Sequence, residues 1–272
     1  MIATLFPSCS IVRFSAATLV LTSVSLLAQT PEKAPAAPEA EKTATEKKQY
    51  KVHAMDRPRP RVVTPPVIST PETPGKAPSD AKVIFDGTDL SQWKRRLKKD
   101  ETNPENDKAE WKVENGYFEV VPGKGFIDTR ESFAGDVQWH IEWCTPAEVK
   151  GNGQGRGNSG VFLGGYPEVQ VLDSYQNDTY PDGQAGALYK VAPPMVNACR
   201  PPGEWQTYDI ILEREKKDAQ GQVTRKGRIS VIQNGVIVQW QKEVGKDESG
   251  GLSLQDHGNP VWYRSIKIRP LP

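Results

Sequence analysis

From residue 81 onward, apolar and polar positions alternate over short stretches separated by Gly, Pro and Asn. Successive side chains of a strand point to opposite faces, so this period of two predicts β-strands with one face buried. The runs KVIFD, WKVENGYFEVV, GFIDTR, VQWHIEWC, GVFLGG, EVQVLD, WQTYDIILER, RISVIQNGVIVQW, GLSLQ and WYRSIKIRP all read this way. Asn115-Gly116 and Asn234-Gly235 each sit between β-prone runs, where an Asn-Gly pair suits the positive φ angles of a type I′ hairpin turn. No stretch carries a sustained helical period with caps. The pattern therefore predicts an all-β sandwich or jelly roll of two antiparallel sheets over residues 81–272. Val83, Phe85, Val113, Ile141, Trp143, Val161, Leu163, Ile210, Leu212, Ile229, Val231, Ile266 and Ile268 are the expected core. Most of the other tryptophans are expected to pack as well, with Trp205 the one expected at a groove edge.

The first 80 residues follow different rules. Residues 1–28 carry Arg13, then the run FSAATLVLTSVSLLA ending on the small residue Ala28. That run is too short and too diluted by Ser and Thr for a membrane span, which predicts a secretory signal peptide; an uncleaved anchor is the competing reading. No Cys follows the run to take a lipid. Residues 29–80 are dominated by Pro, Ala, Glu, Lys and Thr, offering too little apolar surface to offset the entropy of ordering. They are expected to form an extended, disordered linker that could tether the chain to the cell envelope. A periplasmic or extracellular location follows, with no stable membrane span after signal cleavage.

Charge adds an exclusion. The chain holds 35 basic and 34 acidic residues, and losing Arg13 with the leader makes them equal, so no basic footprint suggests a nucleic-acid partner. The run KRRLKK (94–99) reads as a solvated edge or loop. Cys144 and Cys199 remain after the leader, either as a disulfide or as two buried free thiols.

Two distant segments carry candidate chemistry. In PEVQVLD (167–173), Glu168 and Gln170 share one strand face while Val169 and Val171 share the other. In LSLQDHG (252–258), Leu252 and Leu254 point inward and Ser253, Gln255 and His257 outward. A carboxylate, amides and an imidazole could thus converge on one wall. Asp173 and Asp256 fall on the opposite parity, where they would bond loop backbone and orient their neighbours. The loop KGNGQGRGNSG (150–160) lacks the GK[ST] ending of a nucleotide-binding loop, and its glycines suit backbone approach to a sugar.

The order FDGTDLSQW, WKVENGYF, GNSGVFL, PEVQVLD, GALYK, PPGEWQTYDI, NGV and LQDHG resembles the 3-keto-disaccharide hydrolase family over nearly all of residues 82–272. The resemblance implies a concanavalin-like jelly roll and cleavage of glycosides whose sugar is already oxidised to a ketone at C3. Such a ketone acidifies the C2 hydrogen. A base removes it, the enediolate expels the C1 substituent by β-elimination, and water adds to the resulting glycal. Either Glu168 or His257 could be the base, and the other could hold one divalent cation that polarises the ketone. Asn158, Gln170 and Gln255 suit hydroxyl recognition, and Lys190 could stabilise the oxyanion. A non-catalytic carbohydrate-binding module of the same fold is the alternative, although a pure lectin needs no base.

Overall fold

The computed structural model describes residues 55, 57–245 and 250–272. The expected signal peptide and residues 29–54 of the expected linker lie outside the described residues. Pro60–Pro272 forms one compact unit. Its strands are β1 (Lys82–Phe85), β2 (Trp93–Arg95), β3 (Lys112–Glu114), β4 (Tyr117–Glu119), β5 (Ile127–Thr129), β6 (Val137–Cys144), β7 (Ser159–Leu163), β8 (Val169–Val171), β9 (Gln206–Glu213), β10 (Lys216–Lys217), β11 (Val223–Arg225), β12 (Gly227–Gln233), β13 (Val236–Val244), β14 (Leu252–Leu254) and β15 (Trp262–Pro270).

An eight-stranded sheet runs β13-β12-β9-β6-β15-β4-β3, with β1 also paired to β15, and a five-stranded sheet runs β2-β5-β14-β7-β8. All their pairings are antiparallel, giving the jelly-roll sandwich expected from the alternation. Both Asn-Gly pairs turn hairpins: Asn115 and Gly116 have φ of 47° and 79°, and Asn234 and Gly235 have 52° and 82°. Positive φ at both central residues is what the type I′ turn demands.

The core lies between the sheets and is rich in aromatic rings. Phe85, Trp93 and Phe118 meet edge to face, with centroids 4.6 and 5.5 Å apart. Burying each such side chain contributes about 1.5–3 kcal/mol. Two buried tyrosines reach from the large sheet to the small one. Tyr208 donates to the Gln170 carbonyl at 2.6 Å, and Tyr263 donates to Ser159 Oγ at 2.7 Å. Ser159 in turn donates to the Gln255 carbonyl at 2.6 Å. Strands β7 and β8 and the end of β14 are thereby pinned from beneath. Of the expected core, Val83 and Val113 are only half-buried, and Ile84 is buried in place of Val83. Cys144 and Cys199 are free thiols, and burial pushes each up to about 12.

The linker expectation needs correction over residues 60–80, which belong to the compact unit. On the outward face of the large sheet, Arg264 donates to Glu142 at 2.8 Å, to the Pro71 carbonyl at 2.9 Å and to the Thr70 carbonyl at 2.6 Å. Lys267 donates to the Gly75 carbonyl at 3.0 Å, Ser69 donates to Glu142, and Asp80 pairs with Arg269. This stretch is ordered by carbonyl acceptors for buried cations rather than by apolar surface, so its composition alone misleads. Burial opposes the charge of Glu142. Hydrogen bonds from His140, Ser69 and Arg264 outweigh it and hold the carboxyl down at about 2. Removing residues 60–80 takes these acceptors away. Urea unfolding is expected to show a chain starting at Ala81 less stable than one starting at Pro60 by on the order of 2 kcal/mol. Equal stability of the two would contradict the packing described.

Candidate active site on the five-stranded sheet

Register assigns the side chains of the small sheet to faces. Leu252, Leu254, Val161, Leu163, Val169 and Val171 are buried toward the core. Ser253 lies opposite Phe162 on one side and Asp128 on the other, and Gly160 lies opposite Gln170. Gln255 extends the pattern by donating its backbone N–H to the Gly160 carbonyl at 3.0 Å. The face turned away from the core thus carries Asp128, Ser253, Phe162 and Glu168 in one row, and Gln255, Gly160 and Gln170 in the next.

Gly160 leaves the space that the Glu168 carboxylate occupies. A Cβ at that position would collide with Glu168 Oε1, because the carboxylate leans across the glycine. Glu168 is 9 % exposed, and its Oε1 is buried with no hydrogen-bond partner. A carboxyl without donors favours its neutral form, since burial penalises the charge. Burial accordingly pushes Glu168 up to about 7, and the attraction of Lys190 only moderates the shift.

Amides flank the carboxylate. Gln170 donates to Gln154 Oε1 at 3.1 Å and to Asn158 Oδ1 at 3.3 Å, while Asn158 donates to the Gln154 carbonyl at 2.7 Å. Gln154 is held through Nε2 by Thr179 and the Gly183 carbonyl, each at 2.9 Å. Beyond β8, the Tyr189 N–H donates to the Glu168 carbonyl at 2.9 Å, and the Tyr189 and Tyr180 hydroxyls lie 2.9 Å apart. Lys190 follows with φ of 61°, exposed and 5.2 Å from the Tyr189 ring.

The structure gathers Glu168, Gln170 and Asn158, with Lys190 and Gln255 beside them. His257 stands apart. It is exposed in the loop after β14. Trp205 is also removed from this face, because the Arg264 guanidinium on the large sheet stacks over its ring at 4.1 Å. Asp173 and Asp256 bond loop backbone. Asp173 accepts from the Tyr175 N–H at 3.2 Å and from Arg156 at 2.6 Å; Asp256 accepts from the Gly125 and Gly258 N–H groups, each at 2.9 Å.

Among the described residues no three of His, Cys, Asp and Glu gather as cation ligands. Glu168 is the one carboxylate among these amides, so acidic and imidazole side chains by themselves supply no ligand cluster for the expected divalent ion. Gln154, Tyr180 and Tyr189 were missed by sequence reasoning. Gln154 reaches Thr179 and Gly183, 25 and 29 residues along the chain, which no local pattern discloses.

Residues 80–269 match the family described as the 3-keto-alpha-glucoside-1,2-lyase-like domain. A 3-keto-disaccharide hydrolase of Bacteroides thetaiotaomicron is 24% identical over 234 residues, covering 69% of this chain and 77% of the relative. A crystal structure of a candidate glycosyl hydrolase from Parabacteroides distasonis ATCC 8503 is 40% identical with a TM-score of 0.68, covering 86% of this chain and 98% of that one. A second candidate glycosyl hydrolase from the same organism, at 18% identity and TM-score 0.50, covers 71% of this chain and 94% of that one and shares the fold.

The environment of Glu168 makes a stability prediction. Between about 4.5 and about 7 the unfolded carboxyl releases its proton while the folded one keeps it, so stability falls as pH rises through this window. Glu168→Gln removes the buried charge. It is expected to raise unfolding free energy at pH 8 by on the order of 2–3 kcal/mol and to change little at pH 4. Chemical denaturation at the two pH values checks this, and equal effects at both would contradict it.

Proposed function

The chain belongs to the 3-keto-alpha-glucoside-1,2-lyase-like family, and on that premise we propose that Glu168 is the general base of an enzyme that cleaves 3-keto-glycosides by elimination. Family and relatives make it a glycoside-processing enzyme. The observation that carries the finer reading is the buried Glu168 carboxyl, whose Oε1 meets no donor and which burial raises to about 7. A base is most effective when its pKa lies near the working pH, since it is then both ionised and strong enough to take a proton.

The steps follow from the ketone. Glu168 removes the C2 hydrogen, and the electron pair left behind forms the C2–C3 double bond as the C3 oxygen takes negative charge. The C3 carbonyl then re-forms, the electron pair shifts to a C1–C2 double bond, and the C1–O bond breaks with its pair on the aglycone oxygen, which takes up the proton that Glu168 carries. Water adds its hydroxyl to C1 and its hydrogen to C2, which completes a net hydrolysis. Lys190, attracted to the Glu168 charge, is suited to balance the C3 oxyanion. Gln170 and Asn158, fixed by Gln154, are suited to read ring hydroxyls.

Work outside the cytoplasm, in the periplasm or medium, is part of the proposal and rests on residues 1–28. In deuterated water, the released 3-keto sugar is expected to carry deuterium at C2. Glu168→Gln is expected to lower kcat by roughly 10²–10⁴-fold. The acidic limb of the kcat/KM profile is expected near pH 7. Mass spectrometry finding no deuterium at C2, or full activity in Glu168→Gln, would overturn the mechanism.

A further inference from the structure

The outward face of the small sheet continues past the base. Phe162 occupies the row of Glu168, next to Ser253, which lies opposite Asp128. Phe162 and Phe126 are both half-buried, with centroids 5.7 Å apart at 38°. Arg96 stacks over Phe126 at 4.8 Å and donates to Asp128 at 2.8 Å and to Ser253 Oγ at 2.7 Å. A patch of two rings rimmed by a guanidinium, a carboxylate and a hydroxyl therefore adjoins the proposed base.

We propose that Phe162 and Phe126, with Arg96, Asp128 and Ser253, bind the leaving group and select for a second sugar ring there. This rests on the reading of Glu168 as the base. A pyranose presents an apolar C–H face that stacks on an aromatic ring and a rim of hydroxyls that needs both donors and acceptors. Phe162 offers the stacking surface, while Arg96 donates and Asp128 accepts. Gly160 and Phe162 lie two residues apart on β7, roughly 6.8 Å at about 3.4 Å per residue, room for the cleaved ring over Gly160 and a second ring over Phe162. An unadorned alkyl aglycone would leave this patch wet. An aromatic aglycone would use the rings without the polar rim.

The test compares a 3-keto-disaccharide, a methyl 3-keto-glucoside and a phenyl 3-keto-glucoside on wild type, Phe162→Ala and Phe162→Leu, the last retaining apolar volume if the alanine variant fails to fold. Both variants are expected to lower kcat/KM for the disaccharide by roughly tenfold more than for the methyl glycoside. Arg96→Gln is expected to penalise the disaccharide more than the phenyl glycoside. Equal losses on all three substrates, or none, would overturn the proposal. Calorimetric titration of Glu168→Gln separates the two readings. If wild type cleaves no 3-keto-glycoside, the base assignment falls, while tighter binding of disaccharide than of methyl glycoside, lost with Phe162→Ala, still supports the ring site. Equal binding of both sugars would reject that site.

Discussion

The site depends on one close approach, a carboxylate lying across a glycine. Gly160 has no side chain to keep Glu168 away from the sheet, and no donor meets Oε1 once it is there. The rest of the small sheet serves to hold that arrangement. Tyr208 and Tyr263 fix β7 and β8 from the core, and the Gln154 amide fixes Gln170 and Asn158 from the outside. A buried carboxyl that lacks donors retains its proton to higher pH, and that is the property a base needs near neutrality.

The opposite sheet shows the same physics with the other sign. Glu142 is still more buried than Glu168, yet His140, Ser69 and Arg264 all donate to it and its charge is secured. Burial alone therefore does not decide which carboxyl can move protons. The supply of donors does. The segment over residues 66–80 belongs to this second arrangement, since its carbonyls complete the coordination of Arg264 and Lys267. One face of the molecule is thus closed by ionic packing, and the other leaves a carboxylate unsatisfied.

Alternation made the strands legible, because burial of one face imposes a period of two whatever the residues are. The same rule put Glu168 and Gln170 on one side of β8, as the structure has them. It does not reach His257, because β14 ends at Leu254 and parity carries no information once the chain turns. The placement of Trp205 was not legible, since its partner, Arg264, lies on another strand, and a tryptophan suits a cation as well as a sugar. The order in residues 60–80 was hidden because composition counts apolar surface, while these residues are held through their backbone carbonyls. Gln154 was similarly hidden inside a glycine-rich loop whose conformation a sequence does not disclose.

Base catalysis at neutral pH requires the protein to raise the proton affinity of one carboxyl. Titrating the side-chain carboxyl of Glu168 by carbon NMR, assigned by comparison with Glu168→Gln, measures that affinity without any substrate. A midpoint near 7 is expected, set by burial and moderated by Lys190. A midpoint in the ordinary glutamate range near 4.3 would mean that water or a donor reaches Oε1, and it would contradict the assignment of Glu168 as a base poised by desolvation.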